Sequence, residues 1–338
     1  MALHTIQELQ MRQRLPLEIK IRMSQQRIRE WISEYGEDGV YISFSGGKDS
    51  TVLLHLVREL YPNVRAVFVD TGLEYPEIRE FVKTFDNVDI IRPKMTFKQV
   101  IEKYGYPFIS KEVSQKVYEN RRKPDGCTKK YFISAKEGGK EARYNLSKYK
   151  FLLQAPFSLT HKCCNVMKKD PVKKYEKETK RVRITGELAE ESMQRVTAWL
   201  KQGCNAFDNT RPVSKPLSFW TEQDILRYIK ENKIEICNVS VDVVVDYGSE
   251  DQLSGQMDLS DLGLMSDNRK LKTTGCDRTG CMFCMFGCHL ESEPRLIRMK
   301  KTHPKQYDYI MRPKEQGGLN YKEVIDWINA NSDLNIKY

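Results

Sequence analysis

Residues 43–51 read Ser-Phe-Ser-Gly-Gly-Lys-Asp-Ser-Thr. The apolar run 40–42 precedes this stretch and a helical apolar pattern at 52–57 follows it, which predicts a strand, a glycine turn and a helix. Gly46 and Gly47 let backbone N–H groups approach a phosphate, and the helix adds its positive N-terminal end. The spacing differs from Gly-x-x-x-x-Gly-Lys-[Ser/Thr], so this is not the Walker loop. Polar groups for the phosphates come from Ser43, Ser45, Lys48, Asp49, Ser50 and Thr51.

The composition is that of a globular protein without a membrane span. The chain has 338 residues, of which 40% are hydrophobic and 30% charged. No apolar run approaches the ~20 residues that a spanning helix needs, and the first residues lack the pattern of a signal peptide. We therefore expect a cytoplasmic protein that does not contact membranes. In a reducing compartment, its nine cysteines favour thiolate or metal chemistry over disulfides.

The charge is unevenly placed. The chain carries a net +10, and residues 111–150 hold twelve Lys and Arg against five Asp and Glu, a net charge of +7. Residues 241–268 hold seven acids and no Lys or Arg. Aromatic residues interleave the basic block, and that mixture suits phosphate neutralisation and base stacking. A nucleic acid, an anionic nucleotide or a protein partner would each explain the block, whose aromatic residues are Tyr118, Tyr131, Phe132, Tyr144 and Tyr149.

Predicted strands and helices alternate along the first part of the chain. This order is typical of parallel strands with crossover helices, and it predicts an α/β fold with a doubly wound, mostly parallel sheet. Ligands of such sheets lie at the carboxyl ends of the strands. The predicted strands are 40–44, 64–69, 88–91 and 182–184. The predicted helices are 5–35 with a break at Pro16, 50–60, 75–84, 97–104, 170–180, 221–231 and 321–329.

The chain divides into three consecutive segments. Residues 1–36 form an N-terminal helical segment, and residues 37–232 form a nucleotide-binding α/β domain. A basic insertion at about 105–160 interrupts this domain, and we expect it to be a hairpin or loop. Residues 233–338 form a cysteine-rich C-terminal region, reached through the acidic stretch 241–268 as a long exposed connection.

Four motifs in order resemble one superfamily. The stretch 43–51 resembles the PP-loop, Ser-Gly-Gly-x-Asp-Ser, of the N-type ATP pyrophosphatases, which have a Rossmann-like fold. Three further segments are similar to motifs of the phosphoadenosine phosphosulfate (PAPS) reductase-like family: 70–77, 185–195 and 215–225. The family motif for the first segment is Asp-Thr-Gly-x-x-x-Pro-Glu, and the motif for the last is Pro-Leu-x-x-Trp-Thr-x-x-Asp-Ile.

This resemblance implies an ATP site and its magnesium ion. Lys48 and Asp49 would be catalytic, with Lys48 stabilising the pyrophosphate leaving group. Asp49 and Asp70 would hold Mg²⁺ or orient the nucleotide, and Arg195 would face phosphate. The further ATP-binding residues that the resemblance implies are Thr71, Gly72, Gly186 and Glu187.

Two departures separate the chain from the reductases of the family. Reductases have a degenerate PP-loop and a nucleophilic cysteine in a C-terminal tail, whereas this PP-loop is intact and the last cysteine is Cys288. Glu187 also stands where the family has an arginine. The resemblance thus implies an ATP pyrophosphatase that activates an acceptor, tRNA or DNA, for sulfur transfer. The alternatives are an iron–sulfur reductase of PAPS or adenosine phosphosulfate and a non-catalytic nucleotide-binding subunit of a modification or defence complex.

The cysteines predict a metal or iron–sulfur site. Residues 161–171 resemble the Cys-Cys-x-x-x-Lys-x-x-Pro segment of iron–sulfur sulfonucleotide reductases, which implies a four-iron cluster on Cys163, Cys164, Cys281 and Cys284. A second arrangement would bind a cluster or zinc with Cys276, Cys281, Cys284 and Cys288, leaving Cys163 or Cys164 to carry a persulfide. A sulfur-donor protein such as a cysteine desulfurase is an expected partner. Cys204 and Cys237 are predicted to be ordinary buried residues.

Overall fold

We describe a computed structural model, covering residues 3–123, 131–133, 145–237, 239, 243–245, 270–275 and 279–338. The chain forms two compact units. The first contains Met1–Asp70, Glu74–Arg92 and Val172–Gly280, and the second contains Thr71–Leu73, Pro93–Pro171 and Cys281–Tyr338. These units interleave in sequence, whereas the limits at 36 and 232 divide the chain consecutively and stay a prediction. Within the described residues, no helix is both long and apolar enough to cross a membrane.

The first unit is built on a mostly parallel sheet. In the described part of the chain its six strands lie in the order β3-β2-β1-β5-β7-β6, and only β6 runs antiparallel, against β7. The predicted doubly wound α/β class is confirmed. The strands are β1 (Val40–Ser43), β2 (Ala66–Val69), β3 (Val88–Ile91), β5 (Val182–Thr185), β6 (Asn205–Ala206) and β7 (Val213–Ser214); β4 (Phe108–Ile109) belongs to the second unit.

Helices flank this sheet close to where the apolar periodicity predicts them. Helix α9 begins with a capping box in which Thr221 and Asp224 exchange hydrogen bonds. The helices are α1 (Ile6–Gln13), α2 (Leu17–Tyr35), α3 (Lys48–Leu60), α4 (Pro76–Lys83), α7 (Asp170–Thr179, whose first two residues belong to the second unit), α8 (Met193–Gln202) and α9 (Glu222–Glu231). The second unit holds α5 (Phe97–Tyr104) and α6 (Lys111–Arg122).

The strand order decides where a ligand can bind. The chain moves from β1 outward to β2 and β3, and later from β5 to β6 at the opposite edge and back to β7. The order therefore reverses between β1 and β5, and a crevice opens at the carboxyl ends of two strands that diverge in this way. Ser43 and Thr185 are register partners at those ends.

The N-terminal helix α2 is fixed to the first unit by a buried polar chain. The indole of Trp220 donates to the Ser24 hydroxyl at 2.8 Å, and that hydroxyl donates to the Pro216 carbonyl at 2.7 Å. The Lys20 ammonium, 2% exposed, lies 2.6 Å from the Asp224 carboxylate. The fourth sequence motif therefore caps α9 and holds α2 in place.

The second unit carries the cysteines and has little sheet. Strand β4 pairs in parallel with β10 (Met285–Phe286). Helices α10 (Arg295–Thr302), α11 (Pro304–Met311) and α12 (Tyr321–Ala330) follow, and the ring of Tyr321 is fully buried. A separate antiparallel pair in the first unit joins β8 (Val243–Val245) to β9 (Leu271–Thr273).

The basic insertion differs from the prediction of a hairpin or loop. It contains α6 and a 3₁₀ segment, Ser147–Gln154. The Ser110 side chain caps α6 by accepting from the Val113 N–H at 3.0 Å, and Val113 and Val117 are buried one turn apart. Charged residues surround this short apolar stripe in the sequence, which is why the periodicity did not reveal a helix. Most of the acidic stretch 241–268 lies outside the described residues.

Candidate nucleotide site and cysteine centre

The glycine loop turns sharply between β1 and α3. Gly46 has φ of +71°, and a Cβ placed there would lie 2.7 Å from the Ile78 Cγ2 atom of α4. Only glycine satisfies both the backbone conformation and this close packing. Gly47 is the N-cap of α3 and has no side chain to cap it. The first turn of α3 therefore presents its backbone N–H groups toward the crevice, as an anion site requires.

The loop is braced by its own hydroxyls. The Ser50 hydroxyl donates to the Gly47 carbonyl at 2.9 Å and accepts from the Ser45 N–H at 3.1 Å. The Thr51 hydroxyl donates to the same carbonyl at 3.0 Å. Ser50 and Thr51 are both buried. The hydroxyls of Ser50 and Thr51 therefore stabilise the conformation of the loop, and the groups available to bind a phosphate are backbone N–H groups.

Lys48 is held by an acid of a distant motif. Its ammonium lies 3.0 Å from the Glu222 carboxylate in the first turn of α9, and the Lys48 side chain is only 10% exposed. The Glu222 N–H in turn donates to Glu190. Burial raises the pKa of Glu190, and the neighbouring carboxylates of Glu222 and Asp224 add to the rise. The predicted phosphate-binding cation is thus paired with a carboxylate of α9.

The end of β5 packs directly against the loop. A Cβ on Gly186 would lie 3.0 Å from the Asp49 carbonyl, so the third motif and the glycine loop meet at the crevice. The Thr185 side chain is 8% exposed, and its hydroxyl has no hydrogen-bond partner among the described residues. A buried hydroxyl without a partner is costly. A bound nucleotide at this crevice would supply one.

Charges of the third motif are paired locally. The Glu187 carboxylate lies 2.7 Å from the Lys215 ammonium, and Arg195 pairs with Glu191 one turn earlier. Sequence reasoning placed Glu187 in the ATP site but did not identify Lys215 as its partner. The Lys215 ammonium therefore lies beside Glu187, at the position where the family has an arginine.

The second motif contributes an acid that is already compensated. The Asp70 carboxylate is 7% exposed and contacts two guanidinium groups, Arg79 at 3.3 Å and Arg92 at 3.0 Å. In the second unit, the Thr71 hydroxyl accepts from the Leu73 N–H at 3.2 Å, and Gly72 has φ of +73°. Asp70, which the sequence predicts to bind Mg²⁺ or orient the nucleotide, thus forms ion pairs with two arginines. Asp49, the other predicted residue, lies in the first turn of α3.

Three residues at the site were not among the predicted ATP-binding residues: Thr185 and Lys215, which begin the third and fourth motifs, and Glu222. Thr185 ends a strand of the switch point, a signal that the predicted alternation already contained. Glu222 follows the cap residue Thr221, but nothing in the sequence pairs it with Lys48, which precedes it by more than a hundred residues. Such a pair depends on how α3 and α9 pack in the folded unit.

The second unit brings four of the predicted thiols together. Burial raises the pKa of Cys163 well above its usual range, and the neighbouring thiols of Cys164, Cys281 and Cys284 raise it further. Burial also raises the pKa of Cys284, to which Cys164 contributes. For Cys288, burial raises the pKa to about 12, and Cys284 contributes to the rise. The thiols of Cys164, Cys281 and Cys284 thus act on the thiol of Cys163, and the ligand set on these four cysteines stays a prediction.

The backbone around these cysteines is fixed by the half-buried Arg295 and the fully buried Tyr321. The Arg295 guanidinium donates to the Cys284 carbonyl and, at 3.2 Å, to the Phe286 carbonyl. The Tyr321 hydroxyl donates to the Phe283 carbonyl at 2.7 Å. On the other arm, Cys163 and Cys164 open a helical segment that passes through a π-helical turn, Asn165–Lys169. Turns of this kind recur at functional sites.

The donor set fits an iron–sulfur cluster in its chemistry. Cys163 is buried and Cys164, Cys281 and Cys284 are half-buried, so their thiolates are costly to form without a cationic partner, and cluster irons supply that charge. Among the residues described above, no group of three or more His, Cys, Asp and Glu side chains is arranged to hold a metal ion. Cys276, of the second ligand set, lies outside the described residues. Cys204 and Cys237 are buried in the core of the first unit, as predicted.

The aromatic residues of the basic block divide into two groups. Phe132 and Tyr149 are buried, so they pack in the core of the second unit and cannot stack on bases. Tyr118 is half-buried, with the Lys162 ammonium 4.7 Å and the Arg122 guanidinium 4.6 Å from its ring centre. The Lys116 ammonium lies 4.5 Å from the ring of Tyr131. Tyr144 lies outside the described residues. The stacking surface is thus smaller than the sequence suggested.

Comparisons with known proteins agree with this fold. The model of the phosphoadenosine phosphosulfate reductase domain family matches residues 39–131 and 94–285. A PAPS reductase of Xylella fastidiosa is 39% identical over 54 residues, 16% of this chain and 23% of that protein. An adenosine 5'-phosphosulfate reductase of Staphylococcus epidermidis is 25% identical over 103 residues, 29% of this chain and 42% of that protein. The chain thus spans less than half of the length of these two relatives.

Two solved structures are also similar. A PAPS reductase from Candida auris has a TM-score of 0.38 and 15% identity over 64% of this chain and 82% of that chain. The U34-tRNA thiolase NcsA from Methanococcus maripaludis, solved with its [4Fe-4S] cluster, has a TM-score of 0.31 and 16% identity over 65% of this chain and 66% of that chain. Since the family model covers more than half of its residues, the chain belongs to the phosphoadenosine phosphosulfate reductase domain family.

Proposed function

We propose that this protein is an ATP pyrophosphatase that cleaves ATP to AMP and pyrophosphate and so activates a nucleic-acid acceptor for sulfur transfer. One observation carries the proposal. The intact loop Ser43–Thr51 lies at the switch point of the sheet, with the bare first turn of α3 directed at the crevice. A phosphate-binding loop kept in full is the feature that an ATP-cleaving enzyme needs.

The glycine loop and Lys48 would stabilise the negative charge of the phosphates. Backbone N–H groups after Gly47 would bind the β- and γ-phosphates, and Lys48 would leave Glu222 to neutralise charge that develops on the leaving pyrophosphate. Asp49 would hold Mg²⁺, which supplies charge neutralisation of the phosphates when bound. The Thr185 hydroxyl would find its missing partner on the nucleotide. Cleavage between the α- and β-phosphates would transfer the adenylyl group to an oxygen of the acceptor and release pyrophosphate. Sulfur that then attacks the activated carbon would break the carbon–oxygen bond, and AMP would leave with that oxygen.

The cysteines would serve the sulfur step. Cys163, Cys164, Cys281 and Cys284 would hold a [4Fe-4S] cluster, which supplies a site to bind and deliver sulfur. Arg295 and Tyr321 would keep the second arm of this site in place. The sulfur itself would come from a donor protein such as a cysteine desulfurase.

The proposal is tested by labelled ATP and a matched pair of variants. Anaerobically purified protein is incubated with α-labelled ATP, with and without bulk tRNA or DNA, and AMP is measured. Lys48→Ala should lower AMP formation by at least about a hundredfold, the scale of a lost charge-stabilising group. Lys83→Ala removes an exposed lysine of α4 whose ammonium lies 2.6 Å from the Glu80 carboxylate. This variant should leave the rate unchanged. A Lys48→Ala enzyme as active as Lys83→Ala would refute the proposal.

Reduction of a sulfonucleotide is the second candidate, and family membership favours it. PAPS or adenosine phosphosulfate would then bind at the same crevice. The intact loop Ser43–Thr51 stands against it, and so does Glu187, a carboxylate at the position of the family's arginine, although the Lys215 ammonium lies 2.7 Å from it. Sulfite release from PAPS with a thiol reductant, in the absence of ATP, would establish this candidate. Tight ATP binding without turnover in every condition would instead indicate a non-catalytic subunit.

A further inference from the structure

A threonine from the cysteine-rich part of the sequence lies against the glycine loop. A Cβ placed on Gly47 would lie 2.7 Å from the Thr279 hydroxyl oxygen. The Thr279 side chain is half-buried, and both residues belong to the first unit. In the sequence, Thr279 stands two residues before Cys281, and no motif connects it with the nucleotide site.

Residue 47 leaves room for this hydroxyl because it has no side chain. Gly47 has φ of −85° and ψ of 162°, an extended conformation that any residue can adopt. The backbone therefore does not require glycine at position 47, in contrast to position 46. Glycine is needed at position 47 for space, since the Thr279 hydroxyl lies where a side chain would extend.

The hydroxyl lies near the place of a helix cap. Gly47 is the N-cap of α3, and the oxygen of an N-cap side chain ordinarily accepts from the N–H groups of the first turn. The Cβ position of Gly47 marks where such a side chain begins, so the Thr279 oxygen lies close to the N-terminal end of α3. A phosphate bound by the first turn of α3 therefore comes within reach of Thr279.

Thr279 brings a further O–H donor to this place. The hydroxyls of Ser50 and Thr51 donate to the Gly47 carbonyl, and a hydroxyl has only one proton to donate. The Ser45 hydroxyl lies 3.6 Å from the Cβ position of Gly47 and 3.0 Å from the Ser50 hydroxyl. The hydroxyls of the loop thus bind one another and the loop backbone, whereas Thr279 comes from outside the loop.

The segment that carries Thr279 leads directly into the cysteines. The Met282 N–H donates to the Leu73 carbonyl at 2.8 Å within the second unit. The Cys284 N–H donates to the Cys281 carbonyl at 3.1 Å and closes a turn. A ligand that holds Thr279 therefore also restrains the chain where it enters this cysteine turn.

We propose that Thr279 is a further nucleotide-binding residue, whose hydroxyl donates a hydrogen bond to the phosphate on the glycine loop. The contact ties the segment that enters the cysteine turn to the bound nucleotide. This inference rests on the proposed function only for the identity of the nucleotide as ATP, and it requires binding without cleavage. A hydrogen bond to a charged phosphate oxygen is strong enough to change an affinity by about tenfold.

Calorimetric titration with a non-hydrolysable ATP analogue and with inorganic pyrophosphate tests the contact. Thr279→Val keeps the branched shape and removes the hydroxyl, so both ligands should bind about tenfold more weakly. Thr279→Ser keeps the hydroxyl and should bind both ligands as the unmodified protein does. Thr197→Val removes an exposed hydroxyl that donates to the Met193 carbonyl in α8 at 2.8 Å, and it should change neither affinity.

Amide hydrogen exchange measures the restraint on the cysteine segment. At a saturating concentration of the ATP analogue, the peptide that spans residues 279–284 should exchange more slowly in the unmodified protein and in Thr279→Ser. In Thr279→Val the analogue should leave the exchange of this peptide unchanged, because the contact that ties the segment to the nucleotide is gone.

Three results would overturn the proposal. Equal affinities in Thr279→Val and Thr197→Val would show that the hydroxyl does not contact the phosphate. A Thr279→Val protein that loses stability to urea together with its affinity would show that the hydroxyl only supports the loop. Exchange that the analogue does not slow in the unmodified protein would remove the tie to the cysteine segment. If no preparation forms AMP and Thr279→Val alone weakens binding of the analogue, the contact stands and the pyrophosphatase proposal falls.

Discussion

Replacing Glu222 with glutamine should tighten ATP binding. The Glu222 carboxylate lies 3.0 Å from the Lys48 ammonium, and ATP must take that ammonium over. The substitution removes the competing charge and keeps the shape of the side chain. ATP then binds without first breaking the ion pair.

The size of the effect follows from the exposure of the two side chains. Lys48 is 10% exposed but Glu222 is 54% exposed, so water screens the pair strongly. Pairs of this kind contribute up to about 1 kcal/mol. Because 1.4 kcal/mol corresponds to a tenfold change in affinity, the dissociation constant should fall by about fivefold.

Calorimetric titration with a non-hydrolysable ATP analogue measures this change. Glu231→Gln removes the same charge from the exposed last turn of α9 and is the matched control. In a Lys48→Ala background the gain from Glu222→Gln should vanish, since the two residues act through one pair. A Glu222→Gln protein that binds no tighter than Glu231→Gln, or a gain that persists without Lys48, would refute the reasoning.

Three further changes test other parts of the molecule. Gly46→Ala should abolish detectable ATP binding, because its Cβ would lie 2.7 Å from the Ile78 side chain. Gly36→Ala, just after α2, also has a positive φ but open space around it, so it should keep ATP binding and cost only roughly 1–2 kcal/mol of backbone strain. Urea unfolding and calorimetric titration separate the two. Lys20→Met should lower the free energy of unfolding by about 3–5 kcal/mol, because it strands a carboxylate that is 12% exposed. Lys322→Met removes an exposed ion pair of similar length, between Lys322 and Asp326. The free energy of unfolding should then fall by less than about 1 kcal/mol. After anaerobic reconstitution, Cys163→Ser should lose most of its iron and sulfide, and Cys204→Ser, in the core of the first unit, should keep both; equal iron contents would contradict the first ligand set.

Local structure around the nucleotide site could be predicted from the sequence. The strand before the glycine loop, the helix after it and the later strand β5 follow from apolar periodicity and glycine placement. Their meeting at one crevice follows from the parallel order of the strands. These features depend on neighbouring residues, and the sequence displays them directly.

Contacts between distant elements could not be predicted in the same way. The Lys48–Glu222 pair, the partner of Glu187 and the buried contact of Lys20 with Asp224 arise only when helices pack. Helix α6 was missed because only Val113 and Val117 mark its apolar face among many charges. The resemblance to a family segment and the two-residue spacing of Cys281 and Cys284 together predict the group of four thiols, since Cys163 and Cys281 are far apart in the chain.

The measurement that tests the central claim most directly is product analysis of ATP cleavage. Anaerobically purified protein with its metal content retained is given α-labelled ATP, and the labelled product is identified as AMP or ADP in the presence of tRNA, of DNA or of neither. The account predicts AMP, formed faster with one of the two nucleic acids and lost in Lys48→Ala. Labelled ADP, or no product with any acceptor, would contradict it.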